Sequence, residues 1–248
     1  MFDKKTLLST VIATLIATQA LAQTAADAVA PEADTTLSVE FSGLTDAAQT
    51  AITAKNAGTP VAAENWMVAA ANPLAVQAGA DVLRAGGTAA DAMIAVQAVL
   101  GLVEPQSSGL GGGAFLVWYD AQKGALTTLD GRETAPINAR PTLFQDDSGE
   151  PLKFFDAVVG GRSVGVPGTP ALMQEAHKRW GSTSWAELFA RGIALSEDGF
   201  VVSPRLAAMV KGDAERLAVD VAARAYFLPQ GRPIEAGQRL RNPAYAQS

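Results

Sequence analysis

Few side chains in this chain could do chemistry, and Arg132 is the first of them. It lies near the end of the stretch from Glu104 to Pro136, which reads E-P-Q-S-S-G-L-G-G-G-A-F-L-V-W-Y-D, then A-Q-K-G-A-L-T-T-L, then D-G-R-E-T-A-P. A guanidinium is a planar fork of donors that matches a carboxylate through two parallel hydrogen bonds. At a strand end beside a glycine cluster, it suits a pocket wall. The competing reading is a structural ion pair with Asp130, Glu133 or a more distant acid, and the spacing leaves both open.

The other chemistry is narrowed by what the composition lacks. With no cysteine, disulfides, thiolate catalysis and cysteine-based metal sites are excluded. The single histidine, His177, cannot make a clustered-histidine metal site and leaves one candidate base for a Ser-His arrangement. It sits beside Lys178 and Arg179 at the polar edge of an expected helix, where a solvated surface role is the expectation. Asp91 follows Thr88 at capping-box spacing and so has a structural explanation. Thr88, Thr134 and Thr169 are accounted for by caps and turns. No metal or organic cofactor is suggested, and no catalytic residue is assigned within this chain.

Gly109, Gly111, Gly112 and Gly113 invite comparison with a phosphate cradle. That motif needs strand, glycines and helix in this order, so that the helix N-terminus faces the phosphate. Here the order is helix, glycines, strand, which argues against nucleotide binding. The preferred reading is that these glycines let two backbones approach closely or let the chain bend into a sheet.

These residues must be positioned by the elements around them. Ala114 to Tyr119 and the run before Arg132, joined through Asp120 to Gly124, predict a β-hairpin. Met67 to Ala71 is a strand candidate. Asn72-Pro73 announces a helix Pro73 to Ala85, stopped at Gly86-Gly87. A second helix, Ala89 to Val103, is apolar nearly all round and is expected inside a layered core. Further on, Gly160 to Gly168 predicts a glycine-rich strand or bend leading into a helix Pro170 to Trp180. Helices are expected over Ser184–Ser196, Pro204–Val210 and Asp213–Ala223, with turns from Tyr226 to Pro233 and a short helix start at Asn242-Pro243.

The amino terminus has a basic start (Lys4, Lys5), an apolar run from Thr6 to Ala17 and the small-residue pattern Ala20-Leu21-Ala22. These are the parts of a secretory signal over residues 1–22, too short to span a bilayer. Residues 23–60 form an acidic, Ala- and Thr-rich leader, with Asp27, Glu32, Asp34, Glu40 and Asp46 against Lys55, and a short helix is possible from Thr45 to Lys55. The main body is 61–248. The formal net charge is −6, and without a basic cluster neither nucleic acid nor an anionic membrane surface is an expected partner.

Taken in order, Asn72 to Ala92 (N-P-L-A-V-Q-A-G-A-D-V-L-R-A-G-G-T-A-A-D-A), E-P-Q-S-S-G-L-G-G-G, D-G-R-E-T-A-P, Val164 to Gly168 (V-G-V-P-G) and Leu188 to Phe200 (L-F-A-R-G-I-A-L-S-E-D-G-F) resemble the large-subunit half of the γ-glutamyltransferase family, also called glutathione hydrolases. The resemblance runs from about Trp66 to Asn242. It implies an α+β Ntn-hydrolase fold, an αββα sandwich of two sheets between helical layers, incomplete in this chain. It also implies an exported precursor, periplasmic or secreted, that cleaves itself into two subunits. The N-terminal threonine of the small subunit then attacks the γ-glutamyl amide of glutathione or a similar compound, and water, an amino acid or a peptide resolves the acyl-enzyme. A threonine activated by its own α-amine needs no histidine, cysteine or metal. In the family, the arginine of the R-E-x-A-P motif grips the α-carboxylate of the glutamyl group, and Arg132 matches it.

The resemblance also sets departures. The nucleophile and the contacts to the substrate's amino group belong to the small-subunit half, which is not in this chain, so the chain alone is expected to have no turnover. Ala114 stands where the family usually carries another glycine, which requires a negative φ there. Two rival expectations are a related amide acylase acting on acyl side chains of β-lactam antibiotics and a non-catalytic exported remnant.

Overall fold

The computed structural model describes residues 39–248. The expected signal and the leader as far as residue 38 lie outside the described residues. In chain order the elements are α1 (Asp46–Asn56), α2 (Pro73–Arg84), α3 (Ala89–Val103), β1 (Ala114–Asp120), β2 (Ala125–Gly131), α4 (Phe154–Val158), α5 (Thr169–Trp180), α6 (Ala190–Asp198), β3 (Phe200–Val201), α7 (Pro204–Gly212), α8 (Ala214–Leu217), α9 (Val221–Phe227), β4 (Arg239–Leu240) and α10 (Pro243–Gln247). The architecture is mixed helix and strand. The strands make two antiparallel pairs, β1 with β2 and β3 with β4.

The α2–α3 pair begins as expected from its caps. Asn72 Oδ1 accepts the Leu74 amide at 3.0 Å, with Pro73 opening the helix. Thr88 and Asp91 form the reciprocal box, Asp91 N donating to Thr88 Oγ1 at 3.2 Å and Thr88 N to Asp91 Oδ2 at 2.9 Å. α3 buries residues on every side, including Ile94, Val99, Leu102 and Val103. Around it the core is closed by Leu74 and Ala78 of α2, Leu195 of α6, Phe200 of β3, Val202, and Leu206 and Val210 of α7. A smaller cluster of Ile94, Met173 and Leu188 seats α5 on the other flank of α3.

α1 is tied to this body through its N-cap, since Thr45 N and Oγ1 both donate to Gln77 Oε1, at 2.9 and 3.0 Å. Phe41 and Leu44 pack against the same core.

The β1–β2 hairpin pairs Ala114 with Gly131 through to Asp120 with Ala125. Asp120 Oδ1 accepts the Gln122 and Lys123 amides at the turn, and Gly124 supplies the left-handed residue at φ 61°. One face of the hairpin lies on the helices, where Trp118 stacks on Trp180 of α5 with ring centroids 4.6 Å apart and planes 7° from parallel. The other face carries Phe115, Val117, Tyr119 and Leu126, all exposed.

Four expectations need correction. Met67 to Ala71 is not a strand: it has no regular secondary structure, Trp66 and Met67 are exposed, and no strand pairs with it among the described residues. Asp213 to Ala223 is two helices, because Asp220 leaves the helix and caps α9, accepting the Ala223 amide at 2.7 Å. Tyr226 and Phe227 consequently end a helix rather than a turn. Ser184 to Ser196 begins as a 3-10 turn, Trp185–Phe189, before α6.

Candidate functional site

Arg132 stands one residue beyond β2, and the alternation of the strand carries it to the uncovered face with Asp130 and Thr128. Its side chain is 69% exposed. Asp130 does not pair with the guanidinium; its Oδ1 accepts the Arg132 backbone amide at 2.9 Å and so fixes the turn out of the strand. Glu133 does meet it, Oε2 lying 3.3 Å from Arg132 Nε. Nη1 and Nη2 make no hydrogen bond to another described residue, so the outer edge of the fork is open while its inner edge is oriented. Of the two readings of Arg132, the ion pair with Glu133 is present, and it leaves the outer edge of the guanidinium free for a further acceptor.

Backbone packing sets the floor beneath Arg132. A Cβ on Gly113 would lie 2.6 Å from the Glu133 amide nitrogen and 2.7 Å from the Gly131 carbonyl oxygen. Only glycine fits there, as the close-approach reading of the cluster expects. None of Gly109, Gly111, Gly112 and Gly113 has a positive φ. Among the described residues Gln230 is the only non-glycine residue with one, so Ala114 meets the condition set for it.

From the far side, Gly168 N and Thr169 N, at the start of α5, both donate to Gly112 O, at 2.9 and 3.1 Å. Val166 N donates to Thr134 O at 2.8 Å, the two residues forming an isolated antiparallel bridge. The E-P-Q-S-S-G-L-G-G-G, D-G-R-E-T-A-P and V-G-V-P-G segments therefore meet at one place. Their distances in sequence gave no sign of this.

The other candidates fall elsewhere. His177 is not a solvated surface residue: its side chain is 25% exposed, Nε2 lies 2.8 Å from Thr183 O and 3.8 Å from Asp91 Oδ1, and Trp185 meets its ring edge-on. Asp91 is fully buried and accepts the Ser182 and Thr183 amides as well as those of its cap. Burial pushes its carboxyl up, but the hydrogen bonds from Thr88, Ser182 and Thr183 outweigh this and hold it below the ordinary range. Ser182 Oγ donates to Asp91 and not to His177. These three residues are a structural junction between α3 and the end of α5. Thr88 is a cap, Thr134 a bridge residue and Thr169 a buried helix start. An apolar hollow of about 430 Å³, lined by Ala98, Leu110, Met173, Trp185, Phe189 and Tyr245 among others, holds no charged side chain and does not include Arg132.

The sequence reading passed over Glu104, which the structure buries to 1% with four donors around it. A glutamate ending an apolar helix was the only available signal.

The chain is 42% identical over 177 residues to a glutathione hydrolase proenzyme of Bacillus subtilis (strain 168), covering 71% of this chain and 30% of the relative. An acylase ACY 1 proenzyme of Pseudomonas sp. (strain SE83) is 37% identical over 194 residues, which is 76% of this chain and 35% of that protein. The crystal structure of Helicobacter pylori gamma-glutamyltranspeptidase superposes with a TM-score of 0.72 at 31% identity, over 76% of this chain and 54% of that one. The chain thus spans about a third of the length of these curated relatives. The gamma-glutamyltranspeptidase family model matches residues 75–248, the span holding the glycine cluster, Arg132 and the Thr134–Val166 bridge, and the chain belongs to that family.

Proposed function

We propose that this chain is the substrate-gripping part of an exported γ-glutamyltransferase or glutathione hydrolase, with Arg132 binding the α-carboxylate of the γ-glutamyl group. One observation carries the reading. Nη1 and Nη2 of Arg132 are open while Glu133 and Asp130 hold the side chain's base and backbone, the arrangement a bidentate carboxylate needs. Family membership supplies the reaction class, γ-glutamyl transfer and hydrolysis of glutathione, as a property of relatives that are longer than this chain.

In this reading the Ntn-hydrolase αββα sandwich is completed by a nucleophile-bearing small subunit outside the described residues. The uncovered row Phe115, Val117, Tyr119 and Leu126 supports that partner, since a contiguous apolar sheet face calls for a second layer. Arg132 would then stand at the edge of a covered, water-poor face, where a charge-assisted pair is strongest. Chemistry would pass through an acyl-enzyme on the partner's N-terminal threonine, with water, an amino acid or a peptide as acceptor. This chain's task is to orient the glutamyl end of the donor. The segment 1–22 is proposed as a secretory signal and 23–60 as a leader, giving a periplasmic or secreted enzyme. No helix among the described residues is long and apolar enough to cross a membrane.

The acylase relative favours a second reading, in which Arg132 serves a carboxylate-bearing acyl group that has no α-amine. The deciding experiment assays the protein encoded by the complete gene on γ-glutamyl-p-nitroanilide and glutaryl-p-nitroanilide. Turnover of the first with little of the second supports the transferase; the reverse preference supports the acylase. Turnover by the 248-residue chain alone would overturn the division of labour proposed here.

A further inference from the structure

Glu104 ends α3 and opens the glycine loop, and its buried carboxylate gathers that loop onto the scaffold. Asn72 Nδ2 and Ser203 Oγ donate to Oε1 at 3.0 and 3.3 Å, while Gln106 Nε2 and Arg205 Nη1 donate to Oε2 at 2.6 and 2.7 Å. These donors come from the cap of α2, the cap and first turn of α7, and the loop itself. A carboxylate is acceptor-only and satisfies all four.

The loop's remaining side chains are tied back in the same way. Arg205 Nη2 donates to Ser107 Oγ at 3.1 Å, and Gln97 Nε2 to Ser108 Oγ at 2.8 Å. The backbone turns on the same residue, with the Ser107 and Ser108 amides both donating to Glu104 O at 3.0 Å. Gln106, Ser107 and Ser108 are therefore each tied back by a side-chain hydrogen bond, although Gln106 and Ser107 stay exposed. The glycines that follow meet Glu133, Gly131 and the start of α5 at contact distance.

An ion pair with a buried carboxylate is a weak device for stability, because desolvating that charge offsets much of the attraction. It is a strong device for fixing one geometry, because each donor left unpaired is costly. We propose that Glu104, held by Arg205, is a positioning residue of the glutamyl site: it sets the path of residues 105–113, and through Gly113 the orientation of Arg132 and Glu133. This rests on the function proposed above for its consequence in binding, but not for the loop's dependence on Glu104.

The test compares wild type, Glu104→Gln and, as a control, Glu175→Gln, whose pair with Arg179 is exposed. The protein is that encoded by the complete gene. An amide at 104 keeps shape and volume but presents donors where donors already converge. Two readouts are taken, hydrogen exchange of the 106–113 amides and the kinetic constants for γ-glutamyl-p-nitroanilide. The expected result is loop exchange faster by about tenfold, with KM raised about tenfold and kcat within about twofold, because oriented binding is lost and chemistry is not. The control should move neither readout.

Loop exchange equal to wild type overturns the proposal, as does a uniform rise over the whole chain with KM unchanged. Should Glu104→Gln not fold, Arg205→Met takes its place with the same outcomes, since that side chain is 35% exposed and its loss leaves the other three donors. If wild type turns over no γ-glutamyl amide, the proposed function fails, and the exchange comparison alone decides whether Glu104 positions the loop.

Discussion

Arg132 Nε lies 3.3 Å from Glu133 Oε2, so two consecutive residues past a strand end form a pair that orients the guanidinium without closing it. Because the side chain is largely exposed, its removal should leave folding intact. In the protein encoded by the complete gene, Arg132→Met is expected to lower kcat/KM for a γ-glutamyl anilide by roughly 10- to 100-fold, the worth of a hydrogen bond to a charged group. Arg132→Lys, which keeps the charge but loses the fork, should recover only part of this. Equal kcat/KM in wild type and Arg132→Met would refute the carboxylate role.

Gly113 has no room for a methyl group against the Glu133 amide. Gly113→Ala should therefore push the 131–133 backbone away from the glycine loop. A cost of about 1–3 kcal/mol, as for other overpacked sites, is expected in urea unfolding. Gly111 meets nothing within 4 Å, and Gly111→Ala should be nearly silent in the same measurement. Equal effects at both positions would show that the floor is not packed as described.

Asp91 makes stability depend on acid. Its folded carboxyl titrates below the ordinary 3.8 because the bonds from Thr88, Ser182 and Thr183 outweigh its burial. A group depressed on folding contributes fully above its unfolded value and loses that contribution as pH falls through the folded one. Wild-type stability should thus decline below about pH 4. The protein with Asp91→Asn should be less stable at neutral pH and show a smaller part of that decline. A pH profile unchanged by the substitution would remove Asp91 from the account.

What could be read from the sequence was what is decided within four residues. Asn72-Pro73, the Thr88–Asp91 box and the turn from Asp120 to Gly124 are local chemistry, and the hairpin that presents Arg132 followed from them. Asp220 carries the same kind of signal, a capping aspartate, but an apolar run on either side hid it. The contacts that make a site were out of reach, because Glu104 meets Ser203 and Arg205 across 99 and 101 residues and Ser182 meets Asp91 across 91. Met67 to Ala71 misled for the opposite reason. Its residues suit a buried strand, but a strand needs a neighbour, and composition does not say whether one is there.

The uncovered face of the hairpin gives the last prediction. Phe115, Val117, Tyr119 and Leu126 are 66%, 69%, 63% and 66% exposed, in a row ending at Arg132. If a second layer normally covers them, the 248-residue chain on its own should bind a hydrophobic dye such as ANS and self-associate. Val117→Thr with Leu126→Thr should reduce both while sparing its fold, because neither residue touches the core. In the protein encoded by the complete gene the same pair should instead be destabilising, since each would then place a hydroxyl in a dry interface at a cost of about 1–3 kcal/mol. Destabilisation in the assembled protein beside an unchanged fold in the 248-residue chain would mark the face as an interior surface; a neutral effect in both would leave it a solvent-facing sheet and remove the covered setting proposed for Arg132.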